Sequence, residues 1–231
     1  DRHLTMKRPK GFGSSDSSAS DSSDIPKGVY ANIELFPTLV WKINLDWKFN
    51  KKEKQVFTKS LKETRKNALG NLTSENTYIL DEKPLLDFKE HIYTHLNNYF
   101  HYAYKPHDNI KPIITQSWTN LTQKGMYHDV HSHANSFLSS VYYYKTQKQD
   151  QIKFFKPDPS PQLSIETAEW GTYNALSWAV PVSTGDLVIF PSYFKHSVAM
   201  KEEEGDRISL AINAFLKGTL ASSKTLTELK V

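Results

Sequence analysis

From Lys111 to Phe215 the chain is written as short β-prone runs separated by turns, and this texture limits the fold more than any other feature. The runs are Ile113–Leu121, Ser136–Tyr144, Gln151–Phe155, Ser177–Val180, Asp186–Phe190 and Arg207–Phe215. Each is rich in β-branched or aromatic residues and is bounded by Gly, Pro, Asn or Asp. Six or more such strands within about 110 residues describe a sandwich or a barrel. Upstream, Glu34–Leu45 alternates apolar with polar after Pro37, as a first strand would. Two helices are expected between that strand and the β region. In 51–69 the residues Val56, Phe57, Leu61 and Ala68 share a stripe, with Gly70 and Asn71 as a stop. In 84–104 Pro84 suits a first helical position, and Leu85, Phe88, Ile92, Leu96, Tyr99 and Ala103 recur at steps of three and four. The fold class is therefore mainly β with flanking helices (α+β).

A chain of 231 residues, 38% hydrophobic, supports one domain with a substantial core. Residues 14–23 (SSDSSASDSS) cannot offset their ordering entropy by burying apolar surface, so residues 1–24 are expected to form a disordered tail. The domain is expected over 25–219, with 220–231 as a C-terminal tail. There are no cysteines, which excludes disulfides, thiolate nucleophiles and cysteine-ligated metals. Any metal must sit on His, Asp or Glu. No apolar run approaches the roughly 20 residues that span a bilayer, and a cytoplasmic location without a membrane partner is expected. The net charge is +4, yet only four of the 29 basic residues are arginines: Arg2, Arg8, Arg65 and Arg207. Scattered lysine with almost no planar guanidinium argues against a nucleic-acid partner and makes Arg207 conspicuous.

His128, His131 and His133 crowd into the stretch before the strand 136–144. Residues two apart on extended chain project to the same side, so His131 and His133 can present two imidazoles to one ion. His91, His95 and His101, on the second helix, are given no ligand role. Further on, Gly185 opens an apolar strand that stops at Pro191 and Ser192, and His196 stands just past the bend. That bend can return a third imidazole, leaving open positions opposite, as in mononuclear iron oxygenases. On the strand from Arg207, alternation puts Arg207, Ser209, Ala211, Asn213 and Phe215 on one face, and Ile208, Leu210, Ile212 and Ala214 on the other. The first face reads as the wall of a lumen, and an arginine fork beside a hydroxyl suits a carboxylate. A structural salt bridge at a strand end is the competing reading of Arg207.

The order His-x-His, aromatic strand, Gly-Asp-x-x-x-Phe-Pro-Ser, His-x-Val, Arg-x-Ser and Asn resembles the 2-oxoglutarate/Fe(II) oxygenase family of marine bacteria and their phages, within the double-stranded β-helix superfamily. Leu35–Thr38, Ser117–Asn120 with Gly125, Ser139–Tyr143 and Phe155–Pro159 add to the likeness, which spans about residues 33–216. The resemblance implies a double-stranded β-helix, a cupin-like jelly roll. It further implies iron(II) on His131, His133 and His196, and a 2-oxoglutarate carboxylate on Arg207 with Ser209. The expected activity couples oxidative decarboxylation of 2-oxoglutarate, with dioxygen, to hydroxylation of a small-molecule or peptidyl substrate. Asn213, Tyr142 and Asn120 are expected to join Arg207 and Ser209 in binding the co-substrate; Tyr142, Asn120 and Trp118 are expected lining residues, although core packing is the better reading for Trp118.

The superfamily carries Asp or Glu where this chain has His133, so a ligand set with His128 or Asp129 stays open. An all-histidine set would also suit a cupin-type dioxygenase that needs no 2-oxoglutarate. A β-barrel binding module with incidental histidines is the third reading. Neither the substrate nor the oligomeric state is legible in the chain.

Overall fold

The computed structural model describes residues 35–107, 109–157 and 165–231, and Thr38–Val231 forms one unit. The expected disordered tail, 1–24, lies outside the described residues. In chain order the elements are β1 (Trp41–Asn44), α1 (Lys51–Lys62), β2 (Thr64–Lys66), β3 (Leu72–Ser74), α2 (Leu86–Tyr104), β4 (Lys111–Thr122), β5 (His128–His131), β6 (Leu138–Lys145), β7 (Gln151–Phe155), β8 (Ser177–Pro181), β9 (Asp186–Pro191), β10 (His196–Val198), β11 (Arg207–Lys217), β12 (Thr219–Leu220) and β13 (Leu229–Lys230). A major sheet has the order β1-β9-β6-β11-β4-β3-β2, and a minor sheet the order β5-β10-β7-β8. All the pairings within these sheets are antiparallel. The two sheets form the expected double-stranded β-helix.

Strands β6 and β9 of the major sheet are apolar on both faces because each face has its own core. On β9, Leu187 and Ile189 pack outward, while Val188 and Phe190 turn inward. The outward core holds Leu138, Tyr142, Leu210, Ile212 and Ala214 against Phe88, Ile92, Leu96 and Tyr99 of α2. Alternation at steps of three and four gives α2 that single buried face. The inward core joins Tyr143, Val188 and Phe190 to Ile152, Phe154, Val182 and Phe194 of the minor sheet. Doubly covered strands read as continuous apolar runs, which is why β9 is buried along its whole length.

The first helix is shorter than its periodicity suggests. A capping box starts it: the Asn50 side chain accepts from Lys52 N–H and Glu53 N–H, and Glu53 Oε2 accepts from Asn50 N–H at 2.6 Å. It stops at Lys62 instead of 69, because Thr64–Lys66 turns back to pair with Leu72–Ser74. Gly70, at φ +107°, therefore serves a hairpin turn and not a helix end. β3 then extends the major sheet, Thr73 opposite Asn120. At the other end, the residues read as a tail fold back, β12 pairing with β13.

Candidate metal and co-substrate site

Three histidines meet at one end of the minor sheet. His131 ends β5 and His196 begins β10, and the antiparallel register sets them directly opposite each other. His133 follows two residues after β5, its backbone N–H held by the carbonyl of Ser192 at 3.0 Å. One ligand nitrogen from each of His131, His133 and His196 lies within 4.8 Å of the others. His133 Nε2 and His196 Nε2 stand 3.4 Å apart.

Backbone carbonyls orient two of these rings. His131 Nδ1 lies 2.7 Å from the carbonyl of Asp129, and His196 Nδ1 lies 3.0 Å from that of Phe194. A carbonyl can only accept, so in each ring Nδ1 carries the proton and Nε2 a lone pair. Burial and neighbouring histidines push His133 down to about 4 and His196 to about 3. His131 is also lowered, by burial first. At neutral pH the three imidazoles are uncharged, as ligation requires. The set fits a borderline divalent ion such as iron(II), which imidazole suits.

Of the alternative ligands, Asp129 is exposed and uses its carboxylate to accept the N–H of Val130. It does not join the cluster. His128 stacks on His131, centroids 4.3 Å apart and planes 16° apart, and is likewise outside the converging set.

Beside the histidines an inner cavity of about 30 Å³ is lined by Arg207, Ser209, Asn120, Asn71, His128 and Tyr143, among others. Arg207 is 5% exposed and donates from Nη1 to Asp150 Oδ1 at 3.0 Å, while its Nη2 has no partner. The salt bridge of the competing reading is present and buried, and it leaves Nη2 unpaired. Ser209 faces Asn120 across the β11–β4 pairing, and Asn120 Oδ1 accepts from Asn71 Nδ2 at 3.1 Å.

Outside the cavity, a cleft of about 520 Å³ opens over the histidines, lined by Arg65, Thr73, Gln116, Trp118 and Asn213. Asn213 Oδ1 accepts from Ser139 Oγ at 3.3 Å. Trp118 is half-buried and lines both spaces, its ring 5.9 Å from that of His133. It is a wall of the site, and not the core residue that was the better expectation. Tyr142 needs the opposite correction. It lies on the outward face, edge-on to Phe88 at 4.9 Å and Phe49 at 5.9 Å. Tyr143 takes the inward position instead.

The sequence gives no sign of a site role for Asp150 or Asn71. Nothing marks Asp150 among polar residues of a loop, and its role follows only from the buried partner. By sequence Asn71 is a helix stop, and the same turn propensity puts it in the β2–β3 hairpin. That hairpin is tied across the site, with Asp129 N–H on the carbonyl of Leu69 at 2.9 Å.

Residues 116–213 match the model of a family described as "Putative 2OG-Fe(II) oxygenase". The matched segment holds all three histidines, Arg207 and Ser209. Among solved structures the chain is similar to a Pseudomonas putida prolyl-4-hydroxylase (12% identity, 77% of this chain and 92% of that one, TM-score 0.51). It is similar to the non-haem α-ketoglutarate-dependent carbocyclase SnoK from nogalamycin biosynthesis (12%, 77% and 80%, TM-score 0.52). The epimerase SnoN from the same biosynthesis is a third (11%, 74% and 77%, TM-score 0.50). At these identities the likeness establishes the shared fold. No curated protein matches the chain. The matched segment is thus similar to that oxygenase family over residues 116–213, and the solved structures share the chain's fold. Among the described residues no helix is long and apolar enough to cross a membrane.

Proposed function

We propose that His131, His133 and His196 hold iron(II), that Arg207 with Ser209 holds the distal carboxylate of 2-oxoglutarate, and that the enzyme hydroxylates a substrate bound in the outer cleft. The observation that carries this reading is the convergence of three neutral imidazole nitrogens, drawn from β5, the following loop and β10, within 4.8 Å. When bound, iron(II) with 2-oxoglutarate and dioxygen supplies the oxidising chemistry, and the protein supplies placement.

The chain's own part is specific. The carbonyls of Asp129 and Phe194 fix two ligand rings, so little reorganisation accompanies metal uptake. Asp150 holds the Arg207 guanidinium through Nη1, leaving Nη2 without a partner in the chain. Trp118 and Tyr143 wall the space between histidines and arginine and keep water from it. The cleft beyond accepts a small molecule or an exposed side chain of a peptide. Kinship with the marine bacterial and phage branch of the family, and a cytoplasmic setting, belong to the same reading.

The test is turnover of 2-oxoglutarate to succinate by purified protein with iron(II), ascorbate and oxygen. Succinate formation that disappears in His131→Ala and His196→Ala supports the assignment. A second reading draws on the all-histidine set and on the ion pair already made by Arg207: a metal-dependent dioxygenase that needs no keto acid. It is favoured if the iron-loaded protein consumes oxygen with a substrate but forms no succinate.

A further inference from the structure

Among the described residues five buried side-chain polar atoms lack a hydrogen-bond partner, and three of them belong to residues that line the inner cavity: Asn71 Oδ1, His128 Nε2 and Arg207 Nη2. A buried polar group left unpaired bears its full desolvation cost, so three around one small cavity mark a place built for a polar ligand. Only one of the three, Arg207, is used by the reading above.

Arg207 is not sufficient for an anion by itself. Asp150 already balances its charge from the far side, and both side chains are about 95% buried, at 6% and 5% exposure. The guanidinium therefore offers one N–H edge and little net attraction. A carboxylate has two oxygens, and the second needs its own donor. His128 is in place to give it. Its ring lies flat on that of His131, which fixes its plane, and its free Nε2 belongs to a residue lining the same cavity as Arg207. An imidazole carries at least one ring N–H in every form it takes at ordinary pH, so it can donate here.

We propose that His128 is a second binding residue for 2-oxoglutarate, its Nε2–H donating to one oxygen of the distal carboxylate while Arg207 Nη2–H donates to the other. This rests on the co-substrate reading given above. The cavity, at about 30 Å³, admits the carboxylate end and little else, so the rest of the keto acid lies back toward the three histidines. Asn71 belongs to the same seat. Turning both amides of the Asn71–Asn120 pair by half a turn keeps their hydrogen bond and leaves Asn71 Nδ2 unpaired, free to serve as a third donor.

The experiment is calorimetric titration of zinc-loaded protein with two probes. One is 2-oxoglutarate, and the other is 2-oxobutyrate, which keeps the keto acid but lacks the distal carboxylate. Metal content is measured alongside. His128→Phe is expected to weaken 2-oxoglutarate by about ten- to a hundredfold, the range for one hydrogen bond to a charged group. It should leave 2-oxobutyrate affinity and metal content unchanged. His128→Gln, which keeps an N–H donor, should recover part of the loss. His128→Ala, smaller and without a donor, carries the same comparison if the phenyl ring is not accepted. Unchanged 2-oxoglutarate affinity overturns the proposal, as does an equal loss for both probes or a loss of metal, which would make His128 a support for His131 alone. Wild-type protein that takes up zinc but binds neither keto acid refutes the co-substrate reading itself, a result distinct from failure of His128.

Discussion

Removing Asp150 tests how the site is held together. Its carboxylate accepts from Arg207 Nη1 at 3.0 Å through Oδ1 and from the backbone N–H of Gln147 at 2.7 Å through Oδ2. The two charged side chains are 5% and 6% exposed. In Asp150→Ala the guanidinium stays buried with no counter-charge, and breaking a buried pair from one side costs about 3–5 kcal/mol. For a unit of this size each kcal/mol moves the melting temperature by roughly 2–4 °C, so a fall of about 6–20 °C is expected. Differential scanning calorimetry on metal-free protein measures it. The double variant Asp150→Leu, Arg207→Met is the control, because replacing both partners by apolar groups removes the uncompensated charge and should return most of the stability. That variant should not bind 2-oxoglutarate. A loss under about 1 kcal/mol in Asp150→Ala, or a double variant no more stable than the single, would refute the argument that this pair is buried and mutually dependent.

His131→Ala and His196→Ala should each retain the fold while losing stoichiometric iron or nickel by metal analysis; retained metal would remove those residues from the ligand set. For metal-free protein, stability should be full above about pH 6.5 and fall as the pH drops toward 4, because the unfolded chain protonates near 6.5 while His133 and His196 resist protonation until about 4 and 3. Each such group costs on the order of a few kcal/mol, and denaturant midpoints that stay flat between pH 7.5 and pH 4.5 would contradict their burial in the neutral form. Gly70→Ala should destabilise by about 1–3 kcal/mol, since the residue has φ +107° and an added Cβ would lie 2.8 Å from the ring of Tyr127. Equilibrium unfolding reads the loss, and adding Tyr127→Ala should relieve the steric part only. Phe190→Ala, at a fully buried position between the sheets, should cost about 3–5 kcal/mol by the same measurement.

The β half of the molecule was legible because strands and turns alternate in the chain at short range. The major strands fall close to where β-branched runs and turn residues place them, and the Arg207–Asn213 face is the lumen wall that alternation gives. The first helix was over-extended because Ala68 continues its stripe, and periodicity alone cannot register a hairpin whose partner strand comes from Leu72–Ser74. Tyr142 was misplaced for a related reason. Three consecutive tyrosines, 142–144, give alternation no contrast, and only the cross-strand register decides that Tyr143 faces inward. The histidines could be found because metal ligands must be of a few types in close spacing. Asp150 and Asn71 could not, since each acquires its role from a partner 57 or 49 residues away.

The account depends most on where a metal ion sits. Anomalous diffraction from crystals grown anaerobically with iron(II) and 2-oxoglutarate locates it directly. The account predicts one iron peak about 2.0–2.3 Å from a nitrogen of each of His131, His133 and His196, with the keto acid running from it to Arg207. A peak ligated by His128 or Asp129 in place of any of the three, or 2-oxoglutarate lying away from Arg207, would contradict it.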